Sequence, residues 1–174
     1  ESGIYLYYIQ NAIVTDNNIS RPNRTTSTTI YGIYGYSDDY NIYERNRIHN
    51  PFGGATTSTS TFYGIYSYGG YTLNSIRFAN NLIYNVNGNG SHWGIYVYYH
   101  YTPTLLYNTI SFDNSASTST GTTRAIDMWA NYSAALPGVV RNNVISLTRG
   151  GTGIKHGLYL NQYYFQSNNN VVYT

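Results

Sequence analysis

The chain has 174 residues, a net charge of +2 and a charged fraction of 9%, against roughly 25% in ordinary soluble domains. It contains no cysteine, which excludes disulfides and thiolate chemistry, and its nine basic residues form no cluster of the kind that nucleic-acid binding needs. No apolar run approaches the ~20 residues of a membrane span, and no signal peptide opens the chain. The length suits one domain, and the first residues already look like mid-strand sequence, so we expect residues 1–174 to be a single segment of a longer protein.

Tyrosine supplies 23 of the 174 residues, and Asn, Thr, Ser and Gly fill most of the remainder. Tyr and Thr favour strands, whereas Asn and Gly favour turns. The helix formers Ala, Glu, Lys and Leu are scarce. The composition therefore predicts an all-β protein that stays in solution through hydroxyl and amide groups rather than through charge.

Two short motifs recur along the chain in a fixed order. Gly-Ile-Tyr and its variants recur at intervals of 29 to 32 residues, beginning at Gly3, Gly32, Gly64, Gly94, Ala125 and Gly157. Asn-x-Ile falls between these copies and begins at Asn17, Asn46, Asn81, Asn108, Asn143 and, in a weaker form, Asn170. Two registered motifs with six copies each indicate a solenoid of repeated coils.

The alternation of strand side chains predicts three inward columns per repeat. The first column pairs the Ile of the first motif with the residue two places later: Ile4 and Leu6, Ile33 and Gly35, Ile65 and Ser67, Ile95 and Val97, Ile126 and Met128, Leu158 and Leu160. The second column is the apolar residue of the second motif: Ile19, Ile48, Ile83, Ile110, Ile145 and Val172. The third lies three residues before each motif Asn, at Val14, Tyr43, Phe78, Leu105 and Val140, and Ser167 breaks it.

Three apolar columns per repeat predict three short strands per coil. About six coils, stacked at about 4.8 Å, would give a rod of roughly 29 Å. Strands of successive coils must then be parallel, and right-handed winding is the expected sense. The predicted fold is an all-β, right-handed parallel β-helix, in which each coil buries its apolar face only against its neighbours.

The repeated Asn and the connections between motifs complete the predicted coil. At a corner, an inward amide can bond the backbone and the Asn of the next coil, as in a stacked amide ladder. The Thr/Ser-rich stretches 24–29, 55–61 and 115–123 are expected to be solvated loops on one corner of the rod, tolerant of changes in length.

The copies of Tyr-Gly-Ile-Tyr followed by Asn-Asn-x-Ile resemble right-handed parallel β-helix repeat proteins of the pectate-lyase-like superfamily. The Thr/Ser tract before Tyr-Gly-Ile-Tyr in residues 55–66 is similar to repeats of large secreted surface proteins of Bacteroidota. The resemblance covers essentially the whole chain and implies the fold. It does not imply one function, because the superfamily includes lyases, hydrolases, phage tailspikes, adhesins and plain spacers.

A polysaccharide-cleaving β-helix would need grouped charges on the outer surface of one sheet. The chain has seven carboxylates: Glu1, Asp16, Asp38, Asp39, Glu44, Asp113 and Asp127. Paired carboxylates for glycoside hydrolysis lie roughly 5–9.5 Å apart, and the neighbours Asp38 and Asp39 are instead expected to cap backbone amides in a turn. Asp127 replaces a tyrosine in an outward column without a second acid beside it, and we interpret it as decay of the repeat.

A lyase would also need a basic residue close to bound calcium. The single lysine, Lys155, lies in a turn-like stretch, and no acidic cluster gathers to hold calcium. The histidines, which are His49, His92, His100 and His156, fall at different phases of the repeat and are expected on the surface. The sequence therefore favours a segment without catalytic residues, cofactor or metal.

The outward positions of the Gly-Ile-Tyr strand form two mostly aromatic columns. One is Tyr5, Tyr34, Tyr66, Tyr96, Asp127 and Tyr159, and the other is Tyr7, Tyr36, Tyr68, Tyr98, Trp129 and Asn161. Their ten aromatic members are the candidate ligand-contact residues of a flat face two residues wide. Cross-strand aromatic pairs contribute about 0.2–1 kcal/mol each, so stability alone can explain such a ladder. Exposed rings also suit sugar faces or a packing surface on another protein.

These observations leave three functional hypotheses. The first is a non-catalytic module of a secreted or bacterial cell-surface protein, serving adhesion or acting as a rigid spacer, which contacts polysaccharide or neighbouring domains of the same protein. The second is a segment of a polysaccharide lyase or glycoside hydrolase. The third is a filament or tailspike building block that associates end to end or laterally.

Overall fold

The structure is a computed structural model that describes residues 1–26, 28–69, 75–129, 137–161 and 164–174. Within these residues the chain forms eighteen strands, numbered in chain order, in three parallel sheets of six. Sheet A contains β1 (Ser2–Tyr7), β4 (Ile30–Tyr36), β7 (Phe62–Tyr68), β10 (His92–Tyr98), β13 (Thr123–Trp129) and β16 (Lys155–Asn161). Sheet B contains β2 (Ile13–Thr15), β5 (Ile42–Glu44), β8 (Ser75–Ala79), β11 (Thr102–Leu106), β14 (Gly138–Arg141) and β17 (Phe165–Asn168). Sheet C contains β3 (Asn18–Ser20), β6 (Arg47–His49), β9 (Leu82–Tyr84), β12 (Thr109–Phe112), β15 (Val144–Leu147) and β18 (Val171–Tyr173).

This architecture is a parallel β-solenoid with three strands per coil, which confirms the predicted fold class. Copies of the first motif pair in register, with Ile33 opposite Ile4 on one side and opposite Ile65 on the other. The second motif pairs in the same way, with Ile48 between Ile19 and Ile83. The right-handed sense of winding stays a prediction.

The three predicted inward columns form the core of the solenoid. Ile33, Ile65, Ile95 and Ile126 are fully buried, and so are Tyr43 and Phe78 of the sheet B column. Both ends of the rod are more open, and Ser167, which breaks the sheet B column, is exposed. A fourth inward column at the start of each sheet A strand was not predicted, and it comprises Ile30, Phe62, His92 and Thr123.

The glycine of the first motif fits against the isoleucine of the second motif in the same coil. A Cβ atom on Gly32 would lie 2.7 Å from Cγ2 of Ile48 and 2.5 Å from the carbonyl oxygen of Gly64. Four other copies make the same approach: Gly3 to Ile19, Gly64 to Ile83, Gly94 to Ile110, and Gly157 to Val172. Because Gly32 and Ile33 are both buried, the alternation of side chains is interrupted there, and Tyr31 points outward.

Each corner between sheets B and C consists of a residue in the left-handed backbone conformation followed by the motif Asn. The six left-handed residues have φ between 53° and 59° and are Asp16, Arg45, Asn80, Tyr107, Asn142 and Asn169. This conformation turns the chain within one residue and directs the following Asn side chain into the coil. The corner is therefore as regular as the strands that it joins.

The motif Asn residues form a continuous amide ladder, which confirms the prediction. Nδ2 of Asn81 donates to Oδ1 of Asn108 at 3.0 Å and to the carbonyl oxygen of Tyr43 at 2.8 Å. The backbone N–H of Asn81 donates to the same Oδ1 of Asn108 at 3.1 Å. Side-chain bonds of 2.9 to 3.0 Å link all six members in order: Asn17, Asn46, Asn81, Asn108, Asn143 and Asn170.

We expect Asn81→Leu or Asn108→Leu to lower the free energy of unfolding by about 1–3 kcal/mol, because buried backbone groups would lose their partners. Urea denaturation measures the change. Asn168→Leu, on an exposed outward position of β17, is the matched control and should stay within about 0.5 kcal/mol of the parent. Equal stability of the ladder variants and this control would show that the amide ladder does not hold the coils together.

The connections that lead from sheet C to sheet A share one corner, as predicted, and residues 115–123 are partly packed, since buried and exposed side chains alternate there. Ser117 and Ser119 are buried, and their hydroxyl groups donate to the carbonyl oxygens of Gly88 and Gly90 at 3.3 and 3.2 Å. A Cβ atom on Gly90 would lie 2.0 Å from the carbonyl oxygen of Ser60. This contact leaves no room for a side chain on Gly90, and the expected tolerance of length changes in residues 115–123 stays a prediction.

Two histidines lie in the core, contrary to the expectation that all four are on the surface. His92 and His100 are fully buried, whereas His49 and His156 are partly exposed. The ring of His92 packs among the rings of Phe52, Phe62 and Phe112 at 5.6 to 6.0 Å. Neither ring nitrogen of His92 has a hydrogen-bond partner among the described residues. A neutral imidazole is the form that such an apolar site favours.

The nearest buried charge is Arg149, whose guanidinium is held by neutral groups. It donates to Oγ1 of Thr123 at 2.7 Å and to the carbonyl oxygens of Gly88 and Gly90 at 2.7 and 2.9 Å. Burial lowers the pKa of Arg149 to about 10. Burial, and to a smaller extent the charge of Arg149, holds the pKa of His92 well below its usual value of 6.5.

Acidification should therefore destabilise the fold through His92. The pKa of His92 is lower in the folded chain than in the unfolded chain. The contribution of neutral His92 to the free energy of unfolding is therefore complete above about pH 6.5 and is lost as the pH falls below that value. We expect the parent to lose up to about 1.4 kcal/mol per pH unit between about pH 6.5 and about pH 5. His92→Phe should remove most of this dependence in urea denaturation, and an unchanged slope would assign the effect to other groups.

Candidate functional site

The outward surface of sheet A carries two aromatic columns in its first coil and three in each of the next three coils, and we name it the aromatic face. The two predicted columns are present, because Tyr34 pairs with Tyr5 and Tyr66, and Tyr36 pairs with Tyr7 and Tyr68. The third column, which the sequence analysis missed, is Tyr31, Tyr63 and Trp93. The face is thus three residues wide rather than two, because the interrupted alternation at the motif glycine turns this column outward.

The rings of the aromatic face stack on one another along the rod. Tyr63 lies between Tyr31 and Trp93 with centroid distances of 5.0 and 4.9 Å and interplanar angles of 6° and 15°. Tyr36 stacks on Tyr68 at 5.1 Å and 13°. The expectation of a uniformly flat face was wrong at several steps, because Tyr34 and Tyr66 meet at 68°, Tyr68 and Tyr98 at 53°, and Tyr98 and Trp129 at 70°. Each stacked ring covers part of the face of its neighbour, so these rings offer mainly their edges and hydroxyl groups to a ligand.

The candidate contact residues differ in exposure along the rod. Tyr5 and Tyr7 in the first coil are 54% and 55% exposed. The other eight are half-buried: Tyr34, Tyr36, Tyr66, Tyr68, Tyr96, Tyr98, Trp129 and Tyr159. Half-burial with polar tips is the state expected of phenol side chains that both stabilise a sheet and remain accessible.

The half-buried phenols are harder to ionise than free tyrosine. Burial raises the pKa of Tyr63 to about 12. Burial, with smaller contributions from neighbouring phenols and, for Tyr96, from Asp127, also raises the pKa values of Tyr66 and Tyr96 above the usual value of 10. The packed rings therefore remain neutral hydrogen-bond donors and acceptors over the whole physiological range.

This arrangement predicts a loss of stability at alkaline pH. The phenol pKa values are higher in the folded chain than in the unfolded chain, so stability is complete below about pH 10 and is lost as the pH rises above it. In a spectrophotometric titration we expect a class of tyrosines that ionises above about pH 10 in the native protein and near pH 10 in urea. Tyr63→Phe should raise the stability of the fold at about pH 11 relative to the parent. A native titration that superimposes on the titration in urea would contradict the packed arrangement.

Asp127 positions both tryptophans on the aromatic face, and its interpretation as decay of the repeat stays a prediction. It lies in register between Tyr96 and Tyr159, yet its side chain is fully buried. Its carboxylate accepts hydrogen bonds from Nε1 of Trp93 at 2.8 Å and from Nε1 of Trp129 at 2.9 Å. Nη1 of Arg124 donates to it at 2.7 Å. Both tryptophans of the chain are thus fixed by one carboxylate.

A second buried polar cluster lies inside the solenoid, at the end of sheet A. Asp38 accepts hydrogen bonds from the hydroxyl of Tyr43 and from Oγ of Ser67, the latter at 3.0 Å. Nε2 of His100 lies 2.7 Å from Oγ of Ser67 and 3.6 Å from Oδ1 of Asp38. Asp38 and Asp39 are buried, and for Asp38 the expected capping of backbone amides is replaced by these side-chain contacts.

This cluster does not have the geometry of a catalytic triad. In a triad, the histidine uses one nitrogen toward the serine and the other toward the acid. Here Nε2 of His100 faces both Ser67 and Asp38, and Nδ1 has no hydrogen-bond partner among the described residues. All three side chains are fully buried, so a substrate cannot reach them. The cluster serves to satisfy polar groups inside the core.

The remaining carboxylates lie apart from the aromatic face. Three of them pair with arginine side chains: Glu1 with Arg21 and Arg24, Asp16 with Arg45, and Glu44 with Arg45 and Arg77. Asp113 is exposed. The described residues contain no group of three or more His, Asp or Glu side chains that could hold a metal ion. They also contain no helix that is long and apolar enough to cross a membrane.

No protein-family model, curated protein or solved structure matches the chain at a significant level. The solenoid itself is evident in the structure. Membership of the pectate-lyase-like superfamily and a relation to surface proteins of Bacteroidota therefore stay predictions from the sequence.

Proposed function

We propose that the chain is a non-catalytic β-solenoid module of a secreted or cell-surface protein, which binds neutral polysaccharide on the aromatic face of sheet A. The observation that carries this proposal is the array of accessible rings in register over the first four coils, two columns wide in the first coil and three columns wide in the next three. The outward positions of this array carry no charged residue in the described part of those coils. The rigid solenoid also makes the module a spacer, so that the two roles of the first hypothesis are compatible.

The chemistry of the face favours a hydroxyl-rich polymer over a protein partner. Stacking has already fixed the rings, so binding would cost little side-chain entropy. Phenol groups repeat along the rod at about the 4.8 Å strand spacing, where they can exchange hydrogen bonds with successive sugar units. A chain of neutral sugars can lie along such a row without a desolvated charge on either side.

The positions of the carboxylates support a non-catalytic role. Asp127 is the one carboxylate placed on sheet A among the described residues, and its oxygen atoms are fully buried and accept three hydrogen bonds. A general acid must reach the proton acceptor of its substrate, which a covered carboxylate cannot do. A segment of a lyase or hydrolase remains the alternative, to be judged by whether bound polysaccharide is shortened.

Affinity electrophoresis against a panel of soluble neutral polysaccharides tests the proposal. We expect at least one polysaccharide to retard the parent without becoming shorter. The double substitution Tyr66→Ser and Tyr96→Ser should weaken binding roughly tenfold or more, since each aromatic contact contributes about 0.5–1.5 kcal/mol. The matched control is Tyr84→Ser with Tyr107→Ser, which removes two tyrosines outside sheet A and should leave retardation unchanged.

Several outcomes would contradict the proposal. No retardation by any polysaccharide would remove the glycan assignment and leave a spacer or a protein-contact role. Equal loss in the control variant would show that the binding surface lies elsewhere. Shortened chains would favour the enzyme alternative, and regular filaments in electron micrographs would favour the building-block alternative.

A further inference from the structure

We infer that Trp129, held in place by the buried carboxylate of Asp127, is the platform on which one neutral pyranose ring stacks. This inference rests on the proposed function and assigns its anchoring subsite. It divides the aromatic face into two parts with different roles. The tyrosine columns of the first coils offer hydroxyl groups, whereas the last coils offer the face of an indole ring.

The parallel stacking of rings along the aromatic face is broken at Trp129. Its ring lies 6.0 Å from that of Tyr98 at an interplanar angle of 70°, and 6.2 Å from that of Tyr159 at 41°. Trp93, by contrast, lies almost parallel to Tyr63 at 4.9 Å and 15°. Among the described residues, no ring is stacked parallel on Trp129, and its side chain is partly exposed.

The indole ring of Trp129 has a fixed orientation. Nε1 of Trp129 donates to Oδ1 of Asp127 at 2.9 Å, which removes the freedom of the ring to rotate. Oδ2 of the same carboxylate accepts from Trp93 at 2.8 Å and from Arg124 at 2.7 Å, so Asp127 is itself held on its other side. A tyrosine at position 127 could not accept these three bonds beneath the two indoles. An ordered ring binds a ligand without the cost of ordering it.

The charge around Trp129 determines whether a neutral or an acidic sugar would bind there. The positive charge of Arg124 is paired with Asp127, and its guanidinium lies 3.5 Å from the centroid of the Tyr159 ring. The subsite therefore carries little net charge and does not attract a uronate. The negative face of an aromatic ring attracts the positive C–H bonds of a sugar. A neutral β-linked pyranose with equatorial hydroxyl groups presents such a C–H surface on each side of its ring.

The two tryptophans make the subsite directly observable, because Trp93 and Trp129 are the only ones in the chain and both bond to Asp127. Binding is measured by tryptophan fluorescence and by isothermal titration calorimetry, with cellohexaose and β-1,4-xylohexaose as neutral probes. Hexagalacturonate is the acidic probe. In Trp93→Phe, which leaves Trp129 as the sole reporter, we expect a neutral hexasaccharide to change the emission of Trp129.

Substitution of the platform should have a larger effect than substitution elsewhere. We expect Trp129→Leu to weaken binding of the neutral probe at least about tenfold, and Trp129→Phe to weaken it less because the aromatic face is retained. Asp127→Asn should lower both the affinity and the fluorescence anisotropy of Trp129, because an amide cannot accept all the present bonds. Tyr84→Leu, on sheet C, is the control and should bind like the parent. Thermal melting of each variant confirms that it is folded.

The outcomes separate this inference from the proposed function. A parent that binds a neutral hexasaccharide while Trp129→Leu binds it equally well would overturn the platform and leave the proposed function intact. A parent that binds neither neutral probe in calorimetry, and no neutral polysaccharide in electrophoresis, would overturn both. Tighter binding of hexagalacturonate than of both neutral probes would overturn the assigned sugar class.

Discussion

The structure depends on the hydrogen bonds that hold each coil to the next, and the Asn ladder fixes their register at the corner between sheets B and C. The amides of the five ladder residues after Asn17 each donate to a backbone carbonyl of the preceding coil, and side-chain bonds join all six members in order. A residue in the left-handed region precedes every ladder Asn, so the same turn is made in each coil. When this corner is fixed, the backbone at Gly32 packs closely against the side chain of Ile48, so that the two motifs of a coil are in contact. Coil spacing and strand register then follow for all three sheets.

The same axial register produces the surface to which we assign a function. Residues at one repeat position stack at about the strand spacing of 4.8 Å, so a preference for tyrosine at three positions becomes three columns of rings. Stacking makes the rings rigid and half-buried, and it directs hydrogen-bonding edges outward. Where Asp127 interrupts the column, the regular stack gives way to two indoles and a guanidinium around one carboxylate. Periodicity and its interruption thus create two different kinds of contact on one face.

The repeating features could be predicted from the sequence, and the individual ones could not. The ladder Asn residues, the inward Ile columns and the two outer tyrosine columns follow from alternation and recurrence, which are local signals. The column of Tyr31, Tyr63 and Trp93 was missed because strict alternation fails where the motif glycine turns the backbone inward. The buried His92 and the contacts of Asp127 depend on partners one or two coils away, which no local pattern specifies. Both tryptophans of the chain lie near the repeat position at which Asp replaces Tyr. That coincidence in the sequence was the signal from which the contacts of Asp127 could have been predicted.

The central claim is that the aromatic face acts as one continuous binding surface whose contacts repeat with the coils. The most direct measurement is the affinity of the parent for neutral β-1,4-linked oligosaccharides of increasing length. The account predicts that the affinity rises with each added sugar until the oligosaccharide spans the face, which is roughly 29 Å for six coils, and then reaches a plateau. An affinity that does not change between a disaccharide and a hexasaccharide would show that the face does not bind as a periodic surface.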